Sequence, residues 1–278
     1  MAGDEQIGEI WRRASAVTDR LDARLLLEQV CGCQHAELIA HPERLLSAAQ
    51  RAQFDALLAR RRAGEPLAYL LGSAFFGGLE FAVSPAVLIP RPDTEVLVAQ
   101  AQRLAQERDA PRIVDLGTGS GVVAILLARL CPAARVTAVD VSAAALAVAR
   151  ANAARHGVAV RFLHGDWYAP LGDERFDLIV ANPPYVADGD PHLQQNGLPF
   201  EPQMALTDGV IGGDGLACIR RLVAGAAEHL LPGGWLLIEH GYDQAVEVGV
   251  LLRRAGFTEI AAWRDSAAID RVSGGRFP

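Results

Sequence analysis

Two hydrophobic rhythms divide the chain. In its first seventy or so residues, apolar positions recur at helical spacing in Ile7-Ile10-Trp11-Ala14-Val17, in Leu21-Leu25-Leu26-Val30 and in Ala52-Leu57-Leu58. Pro42 and Gly64-Glu65-Pro66 punctuate these pieces, so the region reads as a small helical bundle. Beyond it, short β-type runs alternate with helical ones. The strands are expected at Arg112 to Leu116, Ala134 to Val139, Val160 to Leu163, Phe176 to Ala181, Trp235 to Glu239 and Phe257 to Trp263, followed by a tail strand. Helical patterns fall at Val122 to Leu130, Leu216 to Leu231 and Asp243 to Ala255, and Pro232-Gly233-Gly234 reads as a turn. This alternation predicts the α/β class, a doubly wound and mostly parallel sheet with a final antiparallel strand.

Between the two regions, Ala74-Phe75-Phe76 and Leu79 to Val83 flank Gly77-Gly78, the signature of a β-hairpin. It is expected to act as a linker and as one wall of a cleft. The organisation is therefore a helical domain at 1–72, a hairpin linker at 73–86 and an α/β domain at 87–278. At the start of the last, Asp93 or Thr94 is placed to cap a helix running through Val96 to Leu104. On structural grounds alone, Arg91 and Glu95 would be a surface ion pair there. Arg51, Arg60, Arg61 and Arg62 would be a solvated helix face, or a face that meets a partner.

The strand ends carry the chemistry. Asp115 closes the first α/β strand and opens into Gly117-Thr118-Gly119-Ser120-Gly121, a glycine-rich turn that lets backbone approach a ligand at a helix N-terminus. Asp140 ends the next strand about twenty residues after the glycines, where a doubly wound sheet places the acid that binds a ribose hydroxyl pair. The spacing is G-x-G-x-G, with Val122 where the dinucleotide fingerprint has its third glycine. An acid before the turn repels a pyrophosphate but suits the cationic amino-acid end of S-adenosyl-L-methionine. Asp166 follows the third strand and is placed to accept from an adenine amino group, while Trp167 offers a flat apolar face to the base. As structure alone, the pair is a loop acid beside a half-buried aromatic.

Asn182-Pro183-Pro184-Tyr185 ends the fourth strand. Proline lacks an N–H and biases the residue before it towards extended geometry, so the ladder stops and Asn182 is left facing a cleft. Its amide oxygen and the Pro183 carbonyl are two acceptors that together suit both hydrogens of a planar –NH2 group. The tetrapeptide is also compatible with a simple strand-ending turn. The polar segment from Val186 to Gly213, with prolines at 191, 199 and 202, is long enough to be a lid or binding loop.

With these motifs in place, the chain resembles the PrmC/HemK family of protein N5-glutamine methyltransferases, which act on peptide chain release factors. The resemblance rests on Asp115 to Gly121 and Asn182 to Tyr185, on Arg61 to Gly72, on Val87 to Glu95, and on the tail Arg271 to Arg276. Glu201-Pro202, Ala205-Leu206 and Asp214-Gly215-Leu216 also match the family, whereas Thr207 to Gly213 looks longer than its pattern. It implies a Rossmann-like class I methyltransferase fold with a small N-terminal helical domain that helps hold a protein substrate. S-Adenosyl-L-methionine is the implied methyl donor, bound by Asp115, Gly117, Thr118, Gly119, Ser120, Gly121, Asp140, Asp166, Trp167 and Asn182. The implied substrate is the glutamine of the Gly-Gly-Gln loop of class-1 release factors. Asn182, Pro183, Pro184 and Tyr185 would form the catalytic and substrate site, the Tyr185 ring packing on the glutamine, with Pro90 and Arg91 shaping its entrance. Asn-Pro-Pro-Tyr also looks like the site of DNA adenine methylases, so methylation of a base amino group or of a ribosomal-protein glutamine is the enzymatic alternative, and a donor-binding scaffold the non-enzymatic one.

Composition bounds these readings. The formal net charge is −7 and no basic, aromatic-rich recognition domain is present, which weighs against a nucleic-acid partner. A pure scaffold has no need of the paired acceptors. No run approaches the roughly eighteen apolar residues of a membrane span, and Met1-Ala2-Gly3-Asp4-Glu5 is acidic rather than signal-like. Cys31, Cys33, Cys131 and Cys218 lack zinc spacing and read as reduced thiols. A cytoplasmic monomer without a metal is the expectation. All 26 basic residues are Arg, which carries no mechanism.

Overall fold

A computed structural model describes residues 5–278, so the acidic run 1–4 lies outside the described residues. Two compact units emerge. One holds the described residues up to Ser73 together with Gln194–Phe200; the other holds Ala74–Leu193 and Glu201–Pro278.

The first unit is built from α1 (Ile7–Ser15), α2 (Arg20–Cys31), α3 (His35–Ala40), α4 (Ala48–Arg62) and α5 (Leu67–Leu71). Ile7, Ile10 and Ala14 share one face of α1 and are buried with Leu26, Leu27, Phe54 and Leu58 in a single apolar cluster. Local chemistry sets the helix ends. Asp19 accepts from the Leu21 N–H at 2.7 Å, and Ser47 and Gln50 exchange a reciprocal capping box. Gly32 ends α2 in the left-handed region, at φ 62°. Three of the four arginines on α4 are paired, while Arg62 stays on the exposed face. Arg60 makes a bidentate pair with Glu65, Arg61 bonds Asp22 at 2.6 Å, and Arg51 bonds Asp55 at 3.0 Å.

The second unit begins with the expected hairpin, β1 (Ser73–Phe76) and β2 (Leu79–Ala82), and continues as α6 (Thr94–Ala105), β3 (Arg112–Leu116), α7 (Val122–Leu130), β4 (Arg135–Asp140), α8 (Ala143–Arg155), β5 (Arg161–His164) and β6 (Phe176–Ala181). It closes with α9 (Ala217–His229), β7 (Leu230–Glu239), α10 (Ala245–Arg254), β8 (Thr258–Arg264) and β9 (Asp270–Arg276). The sheet order is β5-β4-β3-β6-β7-β9-β8; β3 to β7 pair in parallel and β9 runs antiparallel between β7 and β8. This is the doubly wound sheet that the alternation predicted. Along β6, Leu178 and Val180 join the apolar cluster that includes α6 and α7, while Ile179 and Ala181 join the one that includes α9 and α10. Strand period 2 thus feeds both faces.

Local readings needed correction in four places. Pro232-Gly233-Gly234 is not a turn before β7; the strand runs through it, with its register to β6 shifting there, and Gly233 at φ 76° absorbs the irregularity. Asp93 makes no capping bond to α6; its carboxylate is drawn instead to Arg271, at 2.7 Å. The segment after Tyr185 is not structureless, because short 3-10 turns form at Pro191–Gln194, Leu198–Phe200 and Gln203–Ala205. The hairpin does not wall a cleft. Phe76 and Phe81 are buried against the α6–α7 face, and an added Cβ on Gly77 would lie 2.5 Å from the Leu126 side chain.

Asn152 of α8 secures that docking. Fully buried, it accepts from the Ala82 N–H at 2.8 Å and donates to the carbonyls of Ala82 and Ser120 at 3.0 and 2.9 Å. One amide therefore couples the hairpin to the glycine turn. No helix among the described residues is long and apolar enough to cross a membrane. Asn152→Ala strands a buried N–H and two carbonyls, and is expected to destabilise the protein by about 1–3 kcal/mol. The check is a lower urea midpoint at an unchanged m-value.

Candidate active site

Parallel register lines up the functional strand ends. Leu163, Val139, Leu116, Ala181 and Ile238 are successive partners across β5, β4, β3, β6 and β7. One residue further along each strand come His164, Asp140, Gly117, Asn182 and Glu239. This row is the carboxyl edge of the sheet, where open α/β folds bind ligands. It borders a cavity of ≈ 310 Å³.

The glycine turn forms the cavity floor. Gly117, Thr118, Gly119 and Ser120 all line it. An added Cβ on Gly117 would meet the Trp167 ring at 3.2 Å, whereas one on Gly119 would meet nothing within 4 Å. The open space over Gly119 is where a ligand can approach the backbone. Gly121 does not line the cavity. At φ 86°, its missing side chain leaves room for Ile125 and Ala149, 3.0 and 3.1 Å from an added Cβ, so it serves close helix packing.

Four acids line the cavity: Asp208, which accepts the Val210 and Ala217 N–H groups at 3.0 Å each, and the three at or after strand ends, which differ in their attachments. Asp115 is 1% exposed and accepts from the Thr118 hydroxyl at 2.7 Å; burial, with a smaller push from Asp140, raises its carboxyl to about 7. Asp140 accepts the Gly119 and Ser142 N–H groups at 2.8 Å each, which leaves lone pairs for a further donor. Burial raises its pKa too. Asp166 is half exposed and gives one oxygen to Arg221 of α9, at 2.5 Å. Beside it, Trp167 lines the cavity with a backbone φ of 47°, a left-handed conformation uncommon outside glycine. An acid with free acceptor sites, an aromatic face and open space over the Gly119 backbone suit an adenosine-like group.

Asn182 and Pro184 also line the cavity, as do Pro90 and Arg91. Arg91 does not pair with Glu95. It pairs with Glu201, a side chain 1% exposed whose other oxygen accepts the Ile89 N–H at 3.0 Å. Glu95 instead accepts from the Gly77 N–H, at 3.3 Å. Pro183 is buried and Tyr185 half-buried, and neither lines the cavity. The Tyr185 ring packs against the α9–α10 apolar cluster and its hydroxyl points to Glu239, 3.4 Å away, so the ring is not presented to a substrate in the cavity. Burial, then Glu239, pushes its hydroxyl pKa well up.

Four residues of this neighbourhood have no site role in the sequence reading: Asn152, Arg221, Glu239 and Thr94, which is read there only as a helix cap. Thr94 accepts the Asn182 amide N–H at 3.1 Å. Glu239 is fully buried, accepts from the Tyr185 hydroxyl, and is raised by burial to about 7 against the opposing pull of the Thr94 hydroxyl. Its sequence signal was the one used for Asp115 and Asp140, an acid that closes an apolar strand. No group of residues suited to hold a metal ion occurs among the described residues.

Comparison with known proteins places this geometry. Residues 12–72 match the PrmC N-terminal domain model and residues 93–196 the Methyltransferase small domain model. The chain is 54% identical to the release factor glutamine methyltransferase of Bordetella pertussis over 257 residues, 92% of this chain and 94% of that one. The chain belongs to the release factor glutamine methyltransferase family. The family enzyme of Burkholderia pseudomallei is 50% identical, over 96% of this chain and 94% of its own. Among solved structures, a methyltransferase from Pyrococcus furiosus has a TM-score of 0.54 at 19% identity, covering 83% of this chain and 98% of that one, which supports the class I methyltransferase fold. The two family models thus match the helical unit and part of the sheet unit respectively.

Asp115 and Glu239 shape the pH response of this family member. Their ordinary values are 3.8 and 4.5, and both rise to about 7 in the folded chain. The folded state thus holds protons that the unfolded state has lost across that window, so their contribution to stability falls as pH rises through it and levels off above about 7. Asp115→Asn and Glu239→Gln should each flatten this slope, measured as urea midpoints across the same pH range.

Proposed function

We propose that this chain transfers a methyl group from S-adenosyl-L-methionine to the side-chain amide nitrogen of the glutamine in the Gly-Gly-Gln motif of class-1 peptide chain release factors, in the cytoplasm. The observation that carries the reading is Asn182. It sits at the carboxyl edge of the sheet on the cavity wall, and its –NH2 is held by Thr94. Its carbonyl oxygen is thereby the end left for a donor. The names of the family enzymes from Bordetella and Burkholderia support the same substrate.

When bound, S-adenosyl-L-methionine supplies an electrophilic methyl on a sulfonium centre. The chain's own residues do the rest. Asp140 accepts from the ribose hydroxyls with the lone pairs that Gly119 and Ser142 leave free. Asp115 offers its charge to the amino-acid end, Trp167 its ring to the base, and Asp166 its remaining oxygen to the adenine amino group. An amide nitrogen is nearly non-basic, so prior deprotonation contributes little and positioning dominates. The Asn182 Oδ1 and the Pro183 carbonyl accept the two N–H bonds of the substrate amide, draw density onto nitrogen and aim it at the methyl group. One of those hydrogens is replaced by the methyl and leaves as a proton.

The deciding experiment is transfer of labelled methyl to purified release factor, to a copy whose Gly-Gly-Gln glutamine is replaced, and to duplex DNA. Label on the intact release factor alone is expected; label on DNA, or on none of the three, overturns the reading. Asn182→Ala should lower kcat by roughly a hundredfold or more while leaving affinity for S-adenosyl-L-homocysteine largely intact. Asp140→Ala should weaken that affinity by about tenfold or more, read by calorimetry.

A further inference from the structure

The two ends of an asparagine amide have the same shape, so nothing in packing alone decides which faces the cavity. If the –NH2 faced outward, it would meet the –NH2 of a substrate glutamine, donor against donor. The orientation has to be set by hydrogen-bond partners, and one chain of such partners is visible behind Asn182.

Its first link is Thr94, the first residue of α6, 3% exposed, whose Oγ1 lies 3.1 Å from the Asn182 Nδ2. The second is Glu239, fully buried at the end of β7, whose charged form the Thr94 hydroxyl favours. Tyr185 donates to Oε1 of the same carboxylate at 3.4 Å, and Oε2 is buried with no hydrogen-bond partner among the described residues. A hydroxyl has one proton and an ionised carboxylate has none. With Glu239 charged, the Thr94 hydroxyl is drawn to donate towards it. The Thr94 oxygen is then purely an acceptor towards Asn182, and the asparagine must turn its –NH2 inward.

We infer that Thr94 and Glu239 are positioning residues that fix the direction of the Asn182 amide, so that its oxygen faces the substrate nitrogen. The inference rests on the proposed glutamine methylation and adds to it the residues that make the acceptor an acceptor. Protonated Glu239 can donate to Thr94, whose own proton is then free to point at Asn182 and reverse the amide. The charge on Glu239 is set by its surroundings. Burial and Asp93, at the start of α6, disfavour it, while Arg271 of β9 and the Tyr185 and Thr94 hydroxyls favour it. The residue just after β7, His240, is engaged by Ser273 and the Gly241 carbonyl. Because the balance leaves Glu239 at about 7, the relay is sensitive to pH in the neutral range.

The test uses the full-length protein. Thr94→Val keeps the shape and removes the hydroxyl, and should lower kcat for release-factor methylation by about tenfold to a hundredfold with S-adenosyl-L-homocysteine affinity within about twofold of wild type. Thr94→Ser should restore most of that loss. At saturating S-adenosyl-L-methionine, where the charge of Asp115 enters through donor binding, the wild-type kcat should fall as pH drops below about 7, and Glu239→Gln should weaken this dependence. In the resting protein, the Asn182 side-chain N–H pair, assigned by its disappearance in Asn182→Ala, should shift in the 15N spectrum over the same range. Thr94→Val with wild-type kcat, or a loss that Ser does not restore, overturns the inference, as does an Asn182 resonance indifferent to pH. Wild-type enzyme that methylates no release factor would instead overturn the function on which it rests.

Discussion

Parallel hydrogen bonding in a single register across five strands is the constraint on which the site depends. It brings the ends of β5, β4, β3, β6 and β7 to one level, so residues distant in sequence meet along one edge. Strand side chains alternate between faces, so a slip of one residue in β6 would turn Asn182 away and move Ile179 and Val180 to opposite clusters. Burial of both faces in separate apolar clusters makes such a slip costly. The core thus specifies the chemistry indirectly, by permitting only one alignment of the strand ends.

Around that edge the structure is held by buried acids rather than by apolar packing alone. Asp115, Asp140, Glu201 and Glu239 are each nearly inaccessible, and each is matched to donors: Thr118, the Gly119 and Ser142 amides, Arg91 with the Ile89 amide, and Thr94. Burying a carboxylate is expensive unless such partners are in place. The partners come from the loops before α6 and α7, the start of α8 and the turn after the β6 end, so the acids cross-link segments that the apolar core does not hold. Loss of one acid therefore loosens a loop as well as removing a charge.

The legible part of the molecule was the part written in short-range pattern. β3, α7 and β6 fall where the apolar runs and the glycine turn put them. Asn182 was legible because two prolines end a strand for local reasons. What the sequence hid were partnerships made across the fold. Asp93 at a helix start looks like a cap until Arg271 of the last strand competes for it. Arg91 beside Glu95 looks like a local pair until Glu201 arrives from the other side of Asn182. Glu239 looks like any acid at a strand end until the register sets it beside Asn182. The docking of the hairpin was equally invisible, since Asn152 lies in an alanine-rich helix with no marked apolar stripe, and a lone mid-helix asparagine gives no local sign that it grips a distant strand.

The short segment Gln194–Phe200 has a consequence for how the chain can be divided. Its neighbours on both sides belong to the sheet unit, yet it clusters with the helices, where Gly197 lies against Pro66 and Gly64 against Phe200. The backbone consequently changes unit at three points, after Ser73, after Leu193 and after Phe200. A single proteolytic nick after Ser73 would free the helices but leave the Gln194–Phe200 part of their unit covalently joined to the sheet unit. The helical unit is also not a detachable module: a catalytic fragment trimmed of its first seventy-odd residues would carry a seven-residue remnant deprived of the helices that order it, so exchanging either unit between relatives requires moving both stretches together.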